Sequence, residues 1–106
     1  DLPREAVLLR IYIGEDDRFE RRPLYEAIVT KARERHLAGA TVLRGPMGSA
    51  ATAKILRLSE DLPLVIEIVD ARERIEAFLP DLQAMMRGGL VTLEKVEVVR
   101  YGDGSD

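Results

Sequence analysis

Few residues in this chain carry groups that do covalent chemistry, and they are poorly spaced for it. The sole histidine, His36, follows Arg33-Glu-Arg35. It has no second imidazole or thiol with which to build a metal site or a nucleophile–base pair. A cation near a helix C-terminus is sufficient reason for it. Ser49 and Ser59 offer hydroxyls, but their only imidazole base is the distant His36, so a serine triad is not expected. Glu15-Asp16-Asp17 and Glu60-Asp61 are of a type that pairs as general acid and base or holds Mg²⁺. Adjacent acids in a turn usually just face water, and a hydrolase built on Glu15, Asp16 and Asp17 is the weakest functional reading. There is no cysteine, which excludes thiolate chemistry and disulfides. A non-enzymatic protein is expected.

Anion binding by backbone is the chemistry that remains. Arg44-Gly-Pro-Met-Gly48 puts two glycines three apart at a strand end, where amides can approach an anion closely. Lys54 and Arg57 follow within reach of a phosphate. Glycines in a hairpin connection also serve simply as turn formers, and the residues alone leave both readings open.

The elements that must hold this loop are legible from periodicity. Val7, Leu9, Ile11 and Ile13 alternate on one face of a strand, with Leu8, Arg10 and Tyr12 on the other. Gly14-Glu-Asp-Asp-Arg18 breaks the pattern as a polar turn. Pro23 suits the first turn of a helix to about His36, striped by Leu24, Ile28 and Ala32. Strands over Gly39–Gly45 and Leu62–Asp70 flank the loop 46–52, with Lys54–Leu58 as its returning arm. Asp70 and Glu73 resemble a capping box for a second helix striped by Ile75, Leu79, Leu82 and Met86 and kinked at Pro80. Leu90–Tyr101 closes the sheet, and its slipped alternation predicts a bulge at Glu94-Lys95. Residues 102–106 are a frayed tail. The layout is one α+β domain over 1–106: a ferredoxin-like βαββαβ unit, with a four-stranded antiparallel sheet and two helices on one face.

Two helices cover only one side of such a sheet. Leu8, Tyr12, Val65 and Val69 lie on the other, and covering them is worth several kcal/mol at roughly 25 cal/mol per Å². A homo-oligomer through that face is expected. The net charge of −3 gives no basic face for nucleic acid. No apolar run approaches the roughly 20 residues of a membrane span. Asp1-Leu-Pro-Arg-Glu5 lacks the form of a signal peptide, so a cytoplasmic location is expected.

Several blocks are similar to those of one family: Leu9-Arg-Ile-Tyr-Ile-Gly-Glu15, Pro23-Leu-Tyr-Glu-Ala-Ile-Val29, Gly39-Ala-Thr-Val-Leu-Arg-Gly45, Leu56-Arg-Leu-Ser-Glu-Asp-Leu-Pro63 and Leu64-Val-Ile-Glu-Ile-Val-Asp70, followed by Ile75-Glu-Ala-Phe-Leu-Pro80. They occur in collinear order over nearly the whole chain, which resembles the bacterial and archaeal PII-like domain of unknown function. The resemblance implies a homotrimer and kinship to PII signalling proteins, which sense adenine nucleotides in clefts between subunits and act on partner proteins through a loop. By position, the ligand-sensing loop corresponds to Arg44, Gly45, Met47, Gly48, Ser49 and the returning Lys54, with loop 46–52 facing the partner. Gly88-Gly89 stands where PII proteins have a second glycine-rich loop. The alternative implied is a purely structural or interaction trimer with no bound metabolite.

Overall fold

Alternation along Val7, Leu9, Ile11 and Ile13 demands a strand with one face wholly buried, and β1 (Glu5–Gly14) is that strand. The computed structural model describes residues 2–44 and 63–102. After β1 come a short hairpin, β2 (Arg18–Phe19) and β3 (Arg22–Pro23), helix α1 (Leu24–Glu34) and strand β4 (Thr41–Arg44). Strand β5 (Pro63–Asp70), helix α2 (Arg72–Met85) and strand β6 (Leu90–Glu97) complete the described elements. The sheet runs β4-β5-β1-β6, antiparallel throughout. This is the expected ferredoxin-like α+β arrangement.

One face of the sheet, with Leu64, Ile66 and Ile68 of β5 beside the β1 set, packs on Ala27 and Ile28 of α1 and Ile75, Phe78 and Leu82 of α2. The helical stripe of α2 is Ile75, Phe78, Leu82 and Met85 rather than the expected Ile75, Leu79, Leu82 and Met86. Met86 ends the helix in an extended conformation, and Leu79 packs only at the edge of the core. Helix α2 runs through Pro80 without interruption. Its N-cap is Ala71, with no side-chain cap bond, so the capping box does not form. Asp70 lies one residue earlier and takes different partners, described below.

Three further details differ from expectation. Pro23 is the N-cap of α1, at φ −57° and ψ 135°, instead of its first helical residue. The β2–β3 hairpin was not anticipated, because its turn residues, Glu20 (φ 51°) and Arg21 (φ 72°), are not the glycine or asparagine that such turns favour. No bulge interrupts β6: every pair from Glu5↔Glu97 to Tyr12↔Leu90 stays in register with β1. Val91 and Leu93 therefore face the helix side, and Leu90, Thr92, Glu94 and Val96 face the open side. The slipped alternation reflects an edge strand exposed on both faces, with Val91 and Leu93 36% and 40% exposed, so neither face requires uniform polarity.

Candidate functional site

Antiparallel pairing brings one set of loops to each end of the sheet. At the first end lie the β1–β2 turn, the end of β4, the start of β5 and the α2–β6 connection. Gly45, Met47, Gly48, Ser49 and Lys54, like Glu60-Asp61 and the arm 54–58, lie outside the described residues. Arg44, Gly88 and Gly89 are described.

Several described groups at this end have a structural partner that decides their geometry. The Asp17 carboxylate accepts a hydrogen bond from Gly14 N at 2.9 Å, and Leu24 N donates to Asp17 O at 2.8 Å. Asp17 thus folds the turn and leads the chain into α1. Arg44 pairs with the Glu15 carboxylate, tying the end of β4 to the β1 turn. Two of the three contiguous acids are therefore engaged in local architecture. Gly89 sits at φ 92°, and a Cβ built there would stand 2.4 Å from Tyr12 O. A Cβ at Gly88 would meet nothing within 4 Å.

Arg44 and Gly89 do not converge. Arg44 ends β4 and Gly89 leads into β6, and these are opposite edges of the sheet. Three interstrand spacings separate them, about 14 Å.

The open face is less apolar than the sequence suggests. Leu8, Tyr12, Val65 and Val69 are half-buried there, but Arg10 lies among them. Its Nε donates to Glu67 Oε2 at 2.8 Å, and its Nη1 lies 3.5 Å from Glu94 Oε1. The hydrogen bond to Glu67 raises the Arg10 guanidinium above its ordinary value, against a smaller opposing effect of burial. Sequence marks Arg10 as outward-facing, but only cross-strand register reveals the two carboxylates beside it.

At the other end of the sheet, α1 closes with paired bonds, His36 N to Arg33 O and Leu37 N to Ala32 O, both 3.0 Å. This is a Schellman motif. Its left-handed position, which glycine usually fills, is held by His36 at φ 61°. Arg74 of α2 donates to His36 O and lies 3.4 Å from Asp70 Oδ1. Asp70 itself is 3% exposed and accepts from Ala38 N at 2.8 Å and Ala71 N at 2.7 Å. The Tyr101 hydroxyl donates to Ala38 O at 3.0 Å. His36, Ala38, Asp70, Arg74 and Tyr101 border a cleft of about 610 Å³ that also meets Val29, Arg33 and Leu37. Sequence reasoning missed it. The helix-end run 33–36 is its only local signal, and its other walls come from segments far along the chain. His36→Gly should raise stability by about 0.5–1 kcal/mol, since relief of left-handed strain exceeds the added unfolded-state entropy; a higher denaturation midpoint at fixed protein concentration would register the gain.

Comparison with known proteins adds identity without chemistry. Residues 6–98 match the family DUF190, described as "Uncharacterized ACR, COG1993". A UPF0166 protein of Aquifex aeolicus is 42% identical over 97 residues, covering 87% of this chain and 91% of the relative. A UPF0166 protein of Methanocaldococcus jannaschii is 35% identical over 101 residues, covering 91% and 94%. A second Aquifex aeolicus UPF0166 protein is 32% identical over 99 residues, covering 89% and 97%.

Proposed function

This chain belongs to the DUF190 family, and from that premise we propose that it is a non-enzymatic, cytoplasmic, PII-like regulator. In this reading it assembles as a homotrimer and senses a small anionic ligand of adenine-nucleotide type at clefts between subunits. It then acts on a partner protein through loop 46–52. The observation that carries the reading is the split of the expected ligand residues between the two edge strands. Arg44 ends β4, whereas Gly88 and Gly89 lead into β6, at the opposite edge of the sheet. Edge-to-edge meeting of two copies would bring the end of β4 and the start of β6 together, whereas one chain keeps these two strand ends about 14 Å apart. Val42 on β4 and Val91 and Leu93 on β6 are exposed apolar side chains at those same edges, which supports coverage by a neighbour. Among the described residues no helix is long and apolar enough to cross a membrane.

A second reading, a trimer that docks a protein without any metabolite, draws on Arg44 and Gly89. The first already has the Glu15 carboxylate and the second a close approach to Tyr12 O, so both have structural employment.

Sedimentation velocity combined with a thermal-shift panel of ATP, ADP, AMP and cyclic AMP separates these readings. The sensor reading expects three times the chain mass and a nucleotide-dependent rise in midpoint. A ligand at a hundred times its Kd adds about 2.7 kcal/mol. Lys54→Ala should remove about 10-fold or more of the affinity, as loss of a charge-assisted contact does. A trimer with no shift from any nucleotide favours the docking reading, and a stable monomer rules out both.

A further inference from the structure

We propose that the cleft between the C-terminal end of α1 and the first turn of α2 is a second site, one that binds a small phosphomonoester with an apolar or aromatic body. The site is contained within one chain and lies at the opposite end of the sheet from the β4 and β6 loops, so it stands independently of the trimeric reading.

Charge is the first argument. Arg33, His36 and Arg74 line the cleft, and among the described residues Asp70 is the only acid that does. The carboxylate of Asp70 is already occupied by Ala38 N, Ala71 N and the Arg74 guanidinium. The nearby Glu34 carboxylate pairs with Lys31. Among the described residues, the Arg33 and His36 side chains have no hydrogen-bond or ion-pair partner. Two guanidiniums and an imidazole around one opening suit a group with several charged oxygens, and the guanidinium fork matches phosphate geometry.

Shape and backbone point the same way. A volume of about 610 Å³ far exceeds what a bare anion fills and lies within the usual range of small-molecule pockets. Val29, Leu37 and the Tyr101 ring supply apolar wall. Complementing the end of α1 does not require all three side chains, because Arg74 already donates to the carbonyls of His36 and, at 3.5 Å, Arg35. Moreover, His36 holds a left-handed position at φ 61° that glycine would take with less strain. A side chain held in that conformation beside the two arginines is consistent with a role for its imidazole in the cleft.

The test is a ¹H–¹⁵N NMR titration of the full chain with phenyl phosphate, phenol and inorganic phosphate. Phenyl phosphate should shift the amides of residues 33–40 and 70–74. Phenol should not shift them, and inorganic phosphate should bind at least about 10-fold more weakly than phenyl phosphate. Arg33→Ala, an exposed helix position, and His36→Gly should both keep a folded spectrum and weaken phenyl phosphate by about 10-fold or more. Absence of shifts at millimolar phenyl phosphate overturns the proposal. So does a response confined to Arg44 and Gly88-Gly89, unchanged affinity in Arg33→Ala, or equal affinity for inorganic phosphate.

Discussion

Replacing Asp70 by alanine should lower the unfolding free energy by about 3 kcal/mol, one of two large stability effects expected from single substitutions at the sheet ends. Asp70 closes β5 and is nearly inaccessible, at 3% exposure. Its two oxygens serve two amides from separate connections, Ala38 N after α1 and Ala71 N before α2. Removing the carboxylate leaves both amides without their acceptor, at about 1–3 kcal/mol for each unsatisfied group. Water entering from the adjoining cleft offsets part of that sum. Arg74 also loses its carboxylate neighbour while keeping the carbonyl of His36. For a domain of this size the loss corresponds to a fall in Tm of roughly 12–24 °C. Asp70→Asn retains one acceptor oxygen and should cost about half as much. Denaturant titrations of both variants at one protein concentration measure the effect, and a loss below about 1 kcal/mol for the alanine variant would show that the two amides find other partners.

Gly89→Ala is the second. Its φ of 92° is a conformation that side-chain-bearing residues avoid, and the new Cβ would fall 2.4 Å from Tyr12 O. That oxygen belongs to the central strand, whose ladder with β5 and β6 fixes its position, so it cannot yield as a flexible side chain would. The Met86 methyl, 3.0 Å away, can move. Backbone strain of about 1–3 kcal/mol together with displacement of β1 or β6 gives an expected cost of about 2–4 kcal/mol. Gly88→Ala provides the internal control. A Cβ there meets nothing within 4 Å, and its cost should stay within about 0.5 kcal/mol. Equal stabilities of the two alanine variants would show that Gly89 has another accessible conformation. If only Gly89→Ala unfolds easily, the glycine before β6 is explained by packing, and Gly88 is the better position at which to look for a ligand effect.

The two ends of the sheet thus have different characters. At the β4 and β6 end, Arg44 pairs with Glu15 and the Asp17 carboxylate accepts from the Gly14 backbone N–H. At the α1 and α2 end, two cationic side chains border an open cleft. Arg35 adds a bidentate bond to Asp81, at 2.6 and 3.1 Å, that holds the helices together there. That bond raises the Arg35 guanidinium above its ordinary value, so Arg35 keeps its charge at any pH the fold experiences. A guanidinium with a raised folded value keeps its own contribution below the ordinary arginine range and loses it as pH climbs past that range.

Sequence by itself determined the fold of this protein. Alternation along Val7–Ile13 and Leu64–Asp70 specifies which face of each strand is buried. Helical stripes and the order strand–helix–strand, repeated, then leave few ways to close an antiparallel sheet. Such patterns are local, and a few residues suffice to express them. Tertiary structure alone decided which polar groups became neighbours. Asp70 meets Ala38 across 32 positions, Arg74 meets His36 across 38, and Tyr101 meets Ala38 across 63. Arg10 finds Glu67 across 57, through a strand register that no periodicity encodes for individual charges. Even the stripe of α2 was settled this way, because a helix leaves adjacent positions such as Phe78 and Leu79 or Met85 and Met86 nearly equivalent until a sheet is laid against one side. The hydrophobic pattern selects an architecture because burial depends only on side-chain type and spacing. A site depends on direction and distance between groups remote in the chain, and those exist only once the sheet has closed.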